Sequence, residues 1–312
     1  MMAHKEWICS TTLILWILLC SILFPNCSIQ KKTESQENIL FILIDTLRAD
    51  HLGCYNYSKD TSPTIDGLAK QGILFENPIA QAPWTKPSVA SIFTSTLPST
   101  HGTTWRGRHE RLPPSMVTFA EVLKQNGFRT AAFSDNPHIT VRNGFGQGFD
   151  KFVENHSFLE GDAKHLTDQA ITWLKKNVHN NNFLYIHYLD PHDPYQAPGI
   201  YRDMFLDPNA VNVRKTVQAG NAYVLNGEYH LDQKMKKGGK KIPPEAFPLT
   251  VPMVISQEEL HYLIGLYDGE IRYVDYHISR IISTLKELNV FDKTTIIITS
   301  DHGEEFLEHG MF

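Results

Sequence analysis

The chain has 312 residues, enough for one large α/β domain or two small ones, and its 42% hydrophobic and 20% charged content is that of a globular protein. A net charge of −5 gives no support to nucleic-acid binding, which calls for a basic face. Cys9, Cys20 and Cys27 precede residue 30 and only Cys54 lies in the body, which excludes a disulfide framework there.

Residues 1–28 read as an export signal. The apolar run from Leu13 to Phe24 has the length of a signal-peptide core. Extended back to Ile8 it is also compatible with an uncleaved signal anchor, so membrane association through this segment is an expectation. Pro25-Asn26 breaks the run, and residues 29–37 form a polar linker. The protein is therefore expected in the periplasm, outside the cell, or anchored to a membrane.

From residue 38 onward, strand patterns alternate with helical ones. Asn38 to Asp45 is a continuous apolar run closed by an acid, the pattern of a buried parallel strand. Thr85 is placed as an N-cap, Pro87 suits the first turn, and Ser88 to Thr94 can be helix. Thr118 to Asn126 and Asp162 to Val178 are two more helices, with strands predicted over Thr130–Phe133 and Phe183–Asp190. Ser256-Gln257-Glu258-Glu259 is a capping box, and apolar residues recur at helical spacing from Leu260 to Leu288. Thr295 to Thr299 is the last strand. The alternation predicts an α/β fold with a mostly parallel central sheet and helices on both faces. Residues 197–250 interrupt it. They are rich in Gly, Pro and Asn, hold the basic run Lys234 to Lys241, and read as an insertion near the mouth of a site.

Chemistry gathers at the strand ends. Asp301-His302 follow the last strand, on the edge where open α/β sheets hold ligands. A carboxylate and an imidazole there, with Gly303 to turn the backbone, make half of a divalent-metal site. Asp45 ends the first strand on the same edge; alone it reads equally as a cap or turn residue, and beside Asp301 it reads as a ligand. Thr85 opens a helix, whose free N–H groups and positive dipole end suit a tetrahedral oxyanion. A hydroxyl there, next to a divalent ion, can attack sulfur or phosphorus; taken alone it is a cap. The segment His187 to Tyr195 lies at another strand end. His187, inside the strand, reads as a core histidine, and His192, in the turn, reads as a proton donor or oxyanion contact. Cys54 reads as an inert thiol.

Four segments together resemble the sulfatase family within the alkaline phosphatase superfamily. They are Asp45 to Tyr55, Thr85-Lys86-Pro87-Ser88 with Pro98 to Gly102, Asp190 to Tyr195, and Ser300 to Glu304, in the family's order. The resemblance runs from Asn38 to Phe312. It implies a three-layer α/β/α sandwich and hydrolysis of the sulfate or phosphate ester of a small molecule, glycan or lipid head group. It also implies Thr85 as nucleophile, Asp45, Thr85, Asp301 and His302 as metal ligands, and Lys86, Asp190 and His192 on the substrate side.

Several positions depart from the family's pattern. Typical sulfatases carry a Cys or Ser at position 85, converted to formylglycine, and an Arg at position 89; here stand Thr85 and Val89, and threonine does not undergo that conversion. Thr46 stands where a second acid commonly follows the first. The segment Ser134 to His138 is no clear counterpart of the lysine- and histidine-bearing segment of arylsulfatases. A threonine nucleophile resembles the phosphodiesterase and the phosphoethanolamine- or glycerophosphate-transferring branches, so a membrane-anchored transferase is the alternative. The mixed donor set suits manganese or zinc over calcium, with magnesium compatible. In the family further sheet follows the last motif, so the domain over residues 38–312 is expected to be incomplete, and an inactive binding remnant is a second alternative.

Overall fold

The computed structural model describes residues 36–104, 111–155, 162–208 and 256–309. Five strands are seen: β1 (Asn38–Ile44), β2 (Arg129–Ser134), β3 (Lys151–Glu154), β4 (Asn182–Tyr188) and β5 (Thr294–Ser300). They form one sheet in the order β3-β2-β4-β1-β5, with every neighbouring pair parallel. The helices are α1 (Pro63–Ala69), α2 (Thr85–Thr94), α3 (Pro98–His101), α4 (Phe119–Gln125), α5 (Ala163–Asn177) and α6 (Gln257–Glu287).

Side-chain alternation along β1 sorts the core into two layers. Leu40, Ile42 and Ile44 point to one face, where they cluster with Leu166, Ala170 and Trp173 of α5 and with the apolar stripe of α6. Leu43, with Ile39 and Phe41 beside it, points to the other face, against Val89 and Phe93 of α2 and Ala120 of α4. Phe93 lies at the centre of that second layer, its ring 4.9–6.0 Å from those of Phe119, Tyr185, Phe145 and Phe149. Full burial of such a side chain contributes about 1.5–3 kcal/mol. β4 is buried at every position because strands flank it on both sides and helices cover both faces.

The capping box read at Ser256 is realised. Thr118 and Ser256 each close a capping box with Glu121 and Glu259, and the Asp162 side chain caps α5. Thr85 is not a cap: Trp84 holds that place, and Thr85 is the first helical residue. Three elements have no counterpart in the sequence reading. β3 has only four residues and pairs on one side, so it shows no long apolar run. α1 and α3 are one or two turns long and start on Pro63 and Pro98, whose fixed φ presets a first turn.

Asn38, Asn182 and Thr294 share a register position, so the strand ends align as well: Ile44 stands beside Tyr188 and Ser300. Asp45 and Asp301 therefore leave the sheet side by side. Among the described strands β5 is outermost on its side. A groove of about 680 Å³ runs beside it, lined in part by Leu47, Leu68, Phe75, Ile296 and Ile298.

The first residues of the expected insertion pack on α6. The backbone at Tyr201 approaches Gly269 so closely that a Cβ there would stand 2.4 Å from the Tyr201 carbonyl oxygen. The basic run Lys234 to Lys241, the expected signal segment and most of the polar linker lie outside the described residues. Among the described residues no helix is long and apolar enough to cross a membrane.

Gly269→Ala is expected to destabilise the fold by about 1–3 kcal/mol, the usual cost of overpacking, read as a lowered midpoint of thermal unfolding. An unchanged midpoint argues against the close approach of residues 199–208 to α6.

Candidate metal and substrate site

Asp45, one residue past β1, is fully buried, and its backbone N–H donates to Tyr188 O at 3.0 Å. Its Oδ2 accepts from Asn136 Nδ2 at 2.5 Å and faces His187 Nε2 at 3.3 Å. Its Oδ1 has no hydrogen-bond partner. Asp301, one residue past β5, is equally buried, and its Oδ1 accepts from the backbone N–H groups of Thr46 at 3.3 Å and His302 at 3.0 Å. Its Oδ2 is again without a partner. Two orphaned carboxylate oxygens in a dry interior are costly unless something positive lies between them.

His302 adds a third acceptor. Its Nδ1 lies 2.8 Å from Gly303 O, which can only accept, so Nδ1 carries the proton and Nε2 presents a lone pair. That nitrogen stands 3.4 Å from Asp301 Oδ2, 3.7 Å from Asp45 Oδ1 and 3.4 Å from Thr85 Oγ1. All four residues named by the resemblance are thus brought together. His187 joins them: ligand atoms of Asp45, His187 and Asp301 lie within 4.8 Å of one another. Oxygen and imidazole donors around unpaired carboxylate oxygens fit a divalent cation, with Asp45, Asp301 and His302 closest to it.

Electrostatics separate the two acids. Burial would raise Asp45, but the hydrogen bond from His187 and the nearby His192, His187 and His302 hold it down at about 2. Asp301 is pushed up to about 6 by burial and by the charge of Asp45. Below about pH 6 a cation at the site must therefore displace a proton from Asp301.

The surrounding elements fix this geometry. Ser88 Oγ, one turn into α2, donates to Asp301 O at 2.6 Å, tying the helix start to the end of β5. Thr46 has φ +51°, an unusual left-handed conformation for a β-branched residue. The Tyr267 hydroxyl holds it there, donating to Thr46 O at 2.8 Å and accepting from Arg48 N at 2.9 Å. Arg48 reaches over to Glu304 O at 2.9 Å and to Glu308, so the loops after β1 and β5 are braced as one.

On the open side stand Lys86, His138 and His192. Lys86 is nearly buried next to Thr85. His138 is held below its ordinary value by burial and then by the charge of Lys86, which places the two close together. His192 Nδ1 lies 2.7 Å from Asp193 O and 3.2 Å from Asp193 Oδ1. Burial opposes its protonation, but Asp193 and the field of Asp45 raise it to about 10, so it is cationic at neutral pH. Asp190, expected on the substrate side, is turned inward and buried against Glu270, which makes it an internal contact instead.

Two further pairs are not reactive. Ser91 Oγ lies 3.0 Å from His101 Nε2, but Thr103 N–H donates to His101 Nδ1, so in the neutral ring Nε2 holds the proton and cannot act as a base toward Ser91. The Cys54 thiol is pushed up to about 11 by burial and by Asp66, in keeping with an inert role.

The family model described as Sulfatase matches residues 37–311. The chain belongs to the sulfatase family. It is 26% identical to human iduronate 2-sulfatase over 325 residues, covering 89% of this chain and 56% of that protein. Among solved structures it is similar to a protein in complex with its substrate D-glucosamine-2-N,6-O-disulfate, at TM-score 0.66 and 20% identity over 89% of this chain and 67% of that one. It is also similar to the phosphonate monoester hydrolase of Agrobacterium radiobacter, at TM-score 0.63 and 20% identity over 88% and 64%. At this identity the structural likeness establishes the fold. The chain spans about half to two thirds of the length of the curated relatives it matches. Enzymes of the family use a divalent metal.

Zinc or manganese affinity of the metal-free protein is expected to rise by up to about tenfold per pH unit until about pH 6, where Asp301 loses its proton, and then to flatten. Titration calorimetry at pH 5, 6 and 7 checks this, and an affinity independent of pH excludes Asp301 as a ligand. Asn136→Ala is expected to weaken metal binding about 10–100-fold by releasing Asp45 from its hydrogen bond; wild-type affinity in that variant rejects the role given to Asn136.

Proposed function

We propose that this protein is a metal-dependent ester hydrolase that cleaves sulfate or phosphate-type esters through in-line attack by Thr85. The observation that carries this reading is the position of Thr85 Oγ1. It opens a buried helix and lies 3.4 Å from His302 Nε2, beside the unpaired oxygens of Asp45 and Asp301.

Asp45, Asp301, His302 and Thr85 would hold a divalent cation, which would supply the charge that lowers the hydroxyl's pKa and offsets the anionic ester oxygens. The mixed oxygen and nitrogen donors favour manganese or zinc over calcium. Thr85 Oγ1 gives its proton to solvent water and forms a bond to sulfur or phosphorus as the bond to the ester oxygen breaks. The first N–H groups of α2 and the Lys86 ammonium face the equatorial oxygens of the ester and stabilise their charge. His192, already cationic, gives a proton to the departing alcohol. Water then releases the anion from Thr85, or an acceptor alcohol takes the group instead, which is the transferase outcome. Substrates of this chemistry are sulfated or phosphorylated small molecules, glycans or lipid head groups.

Thr85→Ala is expected to abolish turnover, with metal binding weakened but measurable by calorimetry. Full activity in that variant removes Thr85 as nucleophile. A panel of sulfate and phosphate mono- and diesters, assayed against zinc, manganese, magnesium and calcium, separates the ester classes. No turnover of any ester with any of these metals overturns the hydrolase reading.

A further inference from the structure

Glu270, in the middle of α6, is 2% exposed and meets the side chain of Asp190, 6% exposed, at the start of the turn that follows β4. Glu270 Oε1 accepts the backbone N–H of Gln196, and its carboxylate also takes that of Ala197. The two acids therefore grip both ends of the 190–197 turn, and His192 lies between those ends. Asp190 Oδ2 and Glu270 Oε2 each lack a hydrogen-bond donor.

The groups that face the pair do not neutralise it. Asp162 at the start of α5 and Asp135 beyond β2 are acids, while Tyr273 on α6 and Tyr188 on β4 are phenols. Among the described residues no lysine, arginine or histidine makes an ion pair with Asp190 or Glu270. Arg280, farther along α6, is engaged with Asp168 and His277. A metal ion is poorly served as well. Among the described residues the cluster at Asp45 is the one group of three acid or imidazole ligands close enough for an ion, and Asp135 is held by Asn155 at 2.9 Å.

We propose that Glu270 and Asp190 share one proton, the Glu270 O–H donating to the Asp190 carboxylate, and that this clasp makes Glu270 a positioning residue for His192. Two ionised carboxylates in contact away from water repel; one proton between them turns the contact into a short, charge-assisted hydrogen bond. The environment agrees with the geometry: burial and the charge of Asp190 push the Glu270 carboxyl well above its ordinary value, and burial raises Asp190. A raised folded-state value means that the clasp is intact at low pH and is lost as pH rises through that value, the proton leaving to solvent. The clasp stands on the packing alone. Its consequence for turnover, through His192, rests on the function proposed above.

The test uses the full chain and needs no substrate. Denaturant unfolding between pH 5 and 8 measures the folding constant, and hydrogen exchange, corrected for intrinsic rate, follows the amides of residues 190–197. Glu270→Gln keeps a neutral donor in place but removes the titration. Wild-type protein is expected to lose folding constant faster with rising pH than this variant, by about tenfold per pH unit wherever the clasp keeps its proton and an unfolded glutamate does not. Exchange across residues 190–197 is expected to quicken at high pH in the wild type and to stay level in Glu270→Gln. Asp190→Asn shrinks the same increment without abolishing it, because Glu270 stays buried, and the double variant removes no more than Glu270→Gln alone. Should Glu270→Gln not fold, Asp190→Asn makes the same comparison. A variant that keeps the wild-type pH slope and the wild-type exchange profile overturns the clasp.

Discussion

The site depends on two like charges brought together by strand register. β1 and β5 are neighbours in the sheet and end level with each other, so Asp45 and Asp301 emerge next to one another in a dry interior. Isolated buried carboxylates in contact repel strongly enough that one remains protonated, or a cation joins them. The surrounding structure resolves the conflict unevenly. His187 and Asn136 stabilise the charge on Asp45, whereas Asp301 receives backbone N–H groups and is left the more basic of the two. The orientation of His302, the start of α2 and the strained backbone at Thr46 all converge on the gap between the acids.

Much of this was legible in the sequence. Continuous apolar runs marked β1, β4 and β5, since strands buried on both faces show no alternation. The capping box at Ser256 located the start of α6 because the cap is a local interaction written into four residues. The ends of apolar strands also pointed to Asp45 and Asp301. The missed elements lacked such signals: β3 is a four-residue edge strand, and α1 is too short to display a periodic face.

The site residues divide along the same line. Those next to strand ends or a helix start could be found by position. His187 could not, because a histidine inside an apolar strand has an ordinary reading as a satisfied core residue. Its role comes from tertiary pairing, in which β4 presents its ring to Asp45 across the sheet and Tyr185 to its other nitrogen at 3.0 Å. A lone polar residue in a strand buried on both faces is the signal that marked it. His138 and Asn136 were hidden for a related reason: the loop after β2 approaches Asp45 only through the sheet order β2-β4-β1. Asp190 erred in the other direction. Its motif placed it near substrate, but its partner Glu270 sits 80 residues later on α6, beyond the reach of local reading.

The outer position of β5 has a mechanical consequence. Among the described strands it is held by hydrogen bonds on one side, to β1, and edge strands open at lower free energy than central ones. Asp301 rides on the end of that strand, while Asp45 is anchored to the central strand by its bond to Tyr188. A cation bridging the two would rivet β5, outermost on its side among the described strands, to the inner strand β1. Occupancy of the site would then help to keep the seam between β1 and β5 closed.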